Sequence, residues 1–306
     1  MFQFSLRGVV PPVVVPDTPD NKLDVVSFER SINRMIDAGV DGLFFLGSSG
    51  EVVFAPNERR REIIREAIRI VAGRVPVLVG VIDTETLRVI EHIKVAEDLG
   101  ADAVVATAPF YALGGLKEIE EHFRLLHEST TLPLFAYDIP VCVHTKIPWK
   151  LLLTLGKEGV LAGVKDSSGD DISFRYLCQA NERAGHPLQL FTGHEIVVDG
   201  AYLSGADGSV PGLANVDPTS YVMMWKAACA GDWSRVKALQ DKLNDLSHIF
   251  DVTQGVSGYG AGVGAFKCAL NLMGVFDSPQ MLPPVHALEG ENVEAIRTIL
   301  VECGLL

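Results

Sequence analysis

Cysteine is scarce and poorly placed for bonding. Cys142, Cys178, Cys229, Cys268 and Cys303 are odd in number, widely spaced and without a C-x-x-C pair. That argues against a disulfide framework or a cysteine zinc site, and fits a reducing cytoplasm. Positive charge is short as well. The formal net charge is -13, so the chain lacks the basic excess that nucleic acid or an anionic membrane would need in a partner. A small anionic substrate is not excluded, because it needs only a local positive site. No apolar run reaches membrane-span length without a charge or turn residue. The stretch from Met1 to Pro16 is apolar but broken by Arg7, Pro11 and Pro12, and it lacks the basic start and cleavage site of a signal peptide. A Gly-rich nucleotide turn is missing too: Gly8 is followed by Val9-Val10-Pro11-Pro12-Val13.

What the chain does have is apolar residues, 48% of 306, enough for a substantial core. Length alone suggests roughly two domains, but α/β barrels of this size fold as one. Short apolar runs predict strands at 8–15, 42–46, 75–81, 103–106, 133–137, 159–165, 188–191 and 208–210. Amphipathic stretches predict helices at 24–38, 57–73, 84–99, 116–128, 170–184 and 196–203. Within 57–73, Ile63, Ile64, Ala67, Ile68, Val71 and Ala72 form one apolar stripe, and charged residues cover the other face. Eight units of about 25–30 residues match a closed (β/α)₈ TIM barrel. An open doubly wound sheet is the competing fold, and the missing nucleotide turn counts against it. Helices at 218–230, 233–250, 260–273 and 291–301 follow the eighth strand. The first of these completes the barrel, giving a catalytic domain over 1–230 and a C-terminal helical extension over 231–306.

In such a barrel, chemistry gathers at the C-terminal ends of the strands. Lys165 ends the apolar run Val160-Leu161-Ala162-Gly163-Val164 and precedes Asp166-Ser167-Ser168-Gly169. Burial disfavours an ammonium, and a partly neutral amine is a nucleophile toward a carbonyl carbon. A lysine that snorkels outward or pairs with Asp166 is the plainer alternative. Gly47-Ser48-Ser49-Gly50-Glu51 follows the second strand. Its backbone N–H groups and two hydroxyls can hold a carboxylate, or its serines can simply cap a helix. The fifth strand ends in Tyr137-Asp138-Ile139-Pro140 and the fourth in Pro109-Phe110-Tyr111. Strands five and six are neighbours in a barrel, so the Tyr137 phenol can approach the Lys165 amine and shuttle protons. The alternative is a core tyrosine with a satisfied hydroxyl, and Tyr111 invites the same two readings. His144 and His194 lie near strand-end loops without partners at metal-ligand spacing. The Gly-rich stretch 205–212 stands where barrels often bind phosphate, but no basic residue is near it.

Together these residues resemble the dihydrodipicolinate synthase / N-acetylneuraminate lyase superfamily of Schiff-base aldolases, over nearly the whole chain. The resemblance rests on G-x-x-G-E at 47–51, the tyrosine motif at 137–140 and G-x-K-[DE] at 163–166. It implies a (β/α)₈ barrel with C-terminal helices, assembled as a homotetramer. It implies that Lys165 forms the Schiff base with pyruvate or another 2-keto acid, with no separate cofactor and no metal. Tyr137 would be the general acid/base. Ser48 and Ser49 would hold the substrate carboxylate, Ser48 also relaying protons, and Tyr111 would complete that relay in a neighbouring subunit. Gly193 and Val210 would line the pocket.

Departures from the family pattern narrow the substrate. The lysine-biosynthesis branch places an arginine two residues after the motif proline, whereas this chain has Cys142, which cannot make a bidentate carboxylate contact. The sialic acid lyases carry Asp-Glu after the seventh strand, whereas Glu195 and Ile196 follow His194 here. The usual asparagine after the motif tyrosine is Asp138. The stretches Gly8-Val9-Val10-Pro11-Pro12 and Gly39-Val40-Asp41-Gly42-Leu43-Phe44-Phe45-Leu46-Gly47 look most like the 2-keto-3-deoxy-sugar-acid aldolases. The expectation is therefore a cytoplasmic pyruvate-dependent aldolase that cleaves a 2-keto-3-deoxy sugar acid. Dihydrodipicolinate synthase and a sugar-acid dehydratase are the enzymatic alternatives. The alternative outside enzymology is a 2-keto-acid sensor, which would not need a nucleophile with a proton relay.

Overall fold

The computed structural model describes residues 5–306; Met1 to Phe4, the start of the apolar N-terminal stretch, lie outside it. The elements alternate through the barrel. They run β1 (Gly8–Val9), α1 (Val25–Ala38), β2 (Leu43–Phe45), α2 (Asn57–Val71), β3 (Val77–Gly80), α3 (Thr86–Leu99), β4 (Ala103–Thr107) and α4 (Leu116–Glu128). Then come β5 (Leu134–Asp138), α5 (Pro140–Val143), α6 (Trp149–Lys157), β6 (Gly163–Asp166), α7 (Asp171–Arg183), β7 (Gln189–Thr192), α8 (Val198–Leu203) and β8 (Gly208–Ser209). Four helices follow: α9 (Pro218–Cys229), α10 (Trp233–Ser247), α11 (Gly258–Leu272) and α12 (Glu291–Glu302).

All strand pairs are parallel, in the order β1-β8-β7-β6-β5-β4-β3-β2. The seam between β1 and β2 is closed by Val13 N–H to Phe44 O at 2.8 Å and Phe44 N–H to Pro11 O at 2.9 Å. The barrel reading is correct and the open sheet is not. The first strand is much shorter than the expected 8–15, because Pro11 and Pro12 have no N–H to donate to a ladder. The sixth also starts later than expected, at Gly163: the chain turns at Gly159, φ +78°, before it becomes extended. Helix α6 was not expected at all. Its Leu151-Leu152-Leu153-Thr154-Leu155 run lacks the polar face that marks an amphipathic helix.

Local chemistry explains the helix boundaries. Asp24, Asp170, Asp217 and Asp232 stand at the N-caps of α1, α7, α9 and α10, each accepting the backbone N–H three residues on. Such a cap is worth about 1 kcal/mol. In α2 the buried apolar stripe is Ile63, Ile64, Ala67, Ile70 and Val71, with half-buried Ile68 packed at its edge, and Ala72 ends the helix, exposed, in the left-handed region. Inward-facing Phe44, Leu78, Val105, Phe135 and Phe191 fill the barrel, leaving only about 10 Å³ of cavity beneath Lys165. That is barely one water, so the barrel is a packed core and substrate must enter from the strand ends. Buried residues of α10, α11 and α12 join the barrel's in one contiguous apolar core.

Candidate active site

Tyr137 and Lys165 are directly opposed across the β5–β6 ladder, with Thr107 beside Tyr137 on β4 and Phe191 beside Lys165 on β7. Side chains at matching positions of parallel strands share a face, so this layer points into the barrel. Lys165 is buried, and its amine sits 4.0 Å from the centre of the Tyr137 ring and 4.9 Å from that of Phe44. The amine thus lies over the tyrosine's ring face. Two aromatic faces attract a cationic nitrogen. Gly193 is needed beside it: a Cβ there would fall 2.1 Å from Ser167 Oγ and 3.2 Å from Lys165 Cε. Val210 lines the same interior as Lys165.

The second-strand loop brings Ser48 to this pair. Ser48 Oγ is 3.5 Å from the Tyr137 hydroxyl. The loop turns through left-handed Leu46, φ +56°, and Glu51, φ +53°. Among the described residues, the backbone N–H groups of Ser48 and Ser49 meet no acceptor. Two free N–H groups in a tight turn make an anion-binding concavity. Tyr111 is different: it is 93% exposed, on left-handed backbone at φ +75°.

Several side chains that shape the site were not singled out from the sequence. Tyr259, on α11, donates its hydroxyl to the Ser48 carbonyl and stacks obliquely on Phe54, ring centres 5.0 Å apart. Lys267, also on α11 and fully buried, pairs with Glu51 and with Asp17 at 2.8 Å, and donates to Gln280 O at 2.8 Å. Arg59 pairs with Asp17 in turn. Burial raises the Glu51 carboxyl above its ordinary pKa, and Lys267 pulls it back. The motif glutamate is thus a structural anchor under the serine loop. Thr107 carries a buried hydroxyl that has no hydrogen-bond partner among the described residues. Its place in the Tyr137 layer became visible only with the register.

The distal residues are placed as follows. Cys142 stands exposed on α5, just past the C-terminal end of β5. Glu195 gives both carboxylate oxygens to the backbone N–H groups of Gly212 and Leu213, at 2.8 and 2.9 Å. It braces the turn after β8. His194 Nδ1 lies 3.0 Å from Asp171 at the surface, and His144 is exposed at the end of α5. Among the described residues, no three His, Cys, Asp or Glu side chains are grouped so as to hold a metal ion.

The family model described as the dihydrodipicolinate synthetase family matches residues 5–303. The chain belongs to that family. An uncharacterised DapA-like lyase of Halobacterium salinarum is 34% identical over 99% of this chain and 95% of its own length. YagE of Escherichia coli K12, named a putative 2-dehydro-3-deoxy-D-gluconate aldolase, is 29% identical over 97% of both. The crystal structure of YagE in complex with pyruvate superposes with a TM-score of 0.92, covering 98% of this chain and 99% of that one. A dihydrodipicolinate synthase structure from Bacteroides thetaiotaomicron superposes at 0.91 with 33% identity, covering 98% and 100%. The dihydrodipicolinate synthetase family is one of lyases, named as synthases and aldolases, and the sequence expectations of family, barrel fold and enzyme class hold. No described helix is long and apolar enough to cross a membrane.

Proposed function

We propose that this protein is a pyruvate-dependent Schiff-base aldolase that reversibly cleaves a 2-keto-3-deoxy sugar acid into pyruvate and an aldehyde. The observation that carries this reading is the buried Lys165 amine beside Tyr137, with Ser48 and the free loop N–H groups next to them. The carboxylate of the keto acid docks on the Ser48 and Ser49 N–H groups. The Lys165 amine adds to the keto carbon, the carbinolamine loses water, and an iminium results. Tyr137 takes the proton of the C4 hydroxyl, the C3–C4 bond breaks, and its electron pair passes into the iminium to leave an enamine and a free aldehyde. Protonation of the enamine and hydrolysis release pyruvate and restore the lysine. No separate cofactor takes part, and Val210 and Gly193 line the pocket.

We place the protein in the cytoplasm as a homotetramer. Tyr111 completes the Ser48–Tyr137 relay of a neighbouring subunit, and its exposure suits that role. The name of YagE supports the sugar-acid substrate, and Cys142 supports it against a synthase that must grip a second carboxylate. The test is a paired assay: pyruvate release from 2-keto-3-deoxy hexonates and pentonates, against condensation of pyruvate with aspartate semialdehyde. Faster turnover of a sugar acid is expected. Efficient condensation with the semialdehyde and none with sugar acids would replace this reading with the synthase. Tight keto-acid binding without turnover, retained in Lys165→Ala, would replace it with a sensor.

A further inference from the structure

Immediately after each of the two reacting side chains stands a carboxylate: Asp138 after Tyr137 on β5, and Asp166 after Lys165 on β6. The two are in register and buried. By strand alternation they face away from the barrel interior, behind the reacting pair. Like charges on adjacent strands repel, and burial weakens screening. One cation answers both. Lys146 Nζ pairs with Asp138 and lies 3.5 Å from Asp166 Oδ2. The remaining oxygens are spoken for: Asp138 Oδ1 accepts the Ile147 N–H at 3.2 Å, and Asp166 Oδ1 accepts the Ser168 N–H and hydroxyl at 2.8 and 2.7 Å.

This arrangement closes a loop. The chain leaves β5 at Asp138, passes over the mouth through α5, and returns at Lys146 and Ile147 to the carboxylate it left. Between these points lie exposed Val141 and Cys142 and left-handed His144 at φ +56°. The short helix α5 is held by its own backbone bonds, Cys142 and Val143 N–H to Ile139 O at 3.0 and 3.1 Å, and by the burial of Ile139, Val143 and Ile147, while Lys146 is the side chain of this loop that reaches both strand-end carboxylates. The clasp therefore ties the ends of β5 and β6 to one another and to the return of the mouth loop.

We propose that Lys146 is a positioning residue: by clasping Asp138 and Asp166 it fixes the spacing of Tyr137 and Lys165 and holds the Cys142 loop over the site. This rests on the reading of Lys165 as the Schiff-base lysine. Without the cation, two buried carboxylates face each other, and they must part or take up a proton. The Asp138 carboxyl already sits at about 6, raised by burial and by Asp166 against the pull of Lys146. The clasp also explains the departure from the usual asparagine noted in the sequence. An asparagine beside Asp166 needs no added cation, whereas an aspartate does.

The test compares wild type with Lys146→Met, Lys146→Arg and the double variant Asp138→Asn/Lys146→Met. Each is measured by borohydride trapping with pyruvate and by kcat and KM for keto-acid cleavage. Wild type is trapped on Lys165. Lys146→Met is expected to be trapped as well at saturating pyruvate, but with kcat lower by about tenfold or more, the scale of a misplaced reacting group. Lys146→Arg keeps the charge and most of the activity. The double variant removes the repulsion along with the cation and regains activity over Lys146→Met. Should Lys146→Met fail to fold, the double variant decides: folded and active supports the clasp, folded and inactive overturns it. Wild-type kinetics in Lys146→Met also overturn it, as does a folded Lys146→Met that the second substitution does not improve. A wild-type protein that traps no pyruvate overturns the aldolase reading and the clasp with it, whatever the variants do.

Discussion

Tyr137 meets Lys165 through its ring and Ser48 through its hydroxyl, so one side chain has two separable duties. Tyr137→Phe keeps the ring over the amine and deletes only the proton carrier. The barrel packing is retained, and turnover is expected to fall by roughly 10²-fold or more, the usual scale for a lost general acid/base. Circular dichroism and steady-state kinetics check this; an unchanged kcat would remove Tyr137 from the chemistry. The residue scale also shows how far a local cue reaches. A lysine in an apolar run drew attention to Lys165, and Ala265-Phe266-Lys267-Cys268-Ala269-Leu270 presents the same cue. One lysine faces aromatic rings in the barrel mouth, while the other is locked between Asp17 and Glu51. Only the three-dimensional partners separate the proposed nucleophile from a strut. Lys146, amid turn residues, gave no cue, because its two partners are brought together by strand register.

At the scale of elements, period and punctuation placed ten helices and six strands within three residues of their observed ends. They failed where proline cut β1 short and where the leucine run hid α6. The glycine of G-x-K-[DE] has a packing cause: a Cβ on Gly163 would lie 2.5 Å from Gln189 O and 2.3 Å from the Phe135 ring, so β6 can sit against its neighbours only without one. Helix α4 carries a pH-sensitive contact. His122 lies against Thr86 Oγ1 at 2.9 Å and Thr107 O at 3.2 Å, partners that suit a neutral ring donating from Nε2. Burial lowers its pKa to about 4, against the Thr107 bond, which raises it. The folded state therefore binds fewer protons than the unfolded state between about 4 and 6.5. Stability is independent of this group above that window and falls as pH drops through it, by about 3 kcal/mol in all. Urea unfolding should show that loss between about pH 7 and pH 4 in wild type and a smaller one in His122→Gln. Parallel losses in both would assign the acid sensitivity to other groups.

At the scale of the molecule, the C-terminal helices hold the Ser48–Ser49 loop from behind. Tyr259 grips the Ser48 carbonyl, and Lys267 ties Glu51 and Asp17, so α11 buttresses the Ser48–Ser49 turn. Removing one partner from such a buried pair typically costs 3–5 kcal/mol, so the extension and the barrel mouth stand or fall together. The sequence announced the barrel and its strand-end motifs, because periodicity and motif order are local properties. It was silent on the buttress, since Tyr259 and Lys267 lie 211 and 216 positions beyond Ser48 and Glu51. The central claim is that a covalent imine forms at Lys165, and the most direct measurement is borohydride reduction in the presence of pyruvate, read by intact-protein and peptide mass spectrometry. The account predicts one pyruvate-sized adduct per chain on the peptide carrying Lys165, absent from Lys165→Ala. Folded protein without an adduct, or an adduct on another lysine such as Lys146 or Lys267, would contradict it.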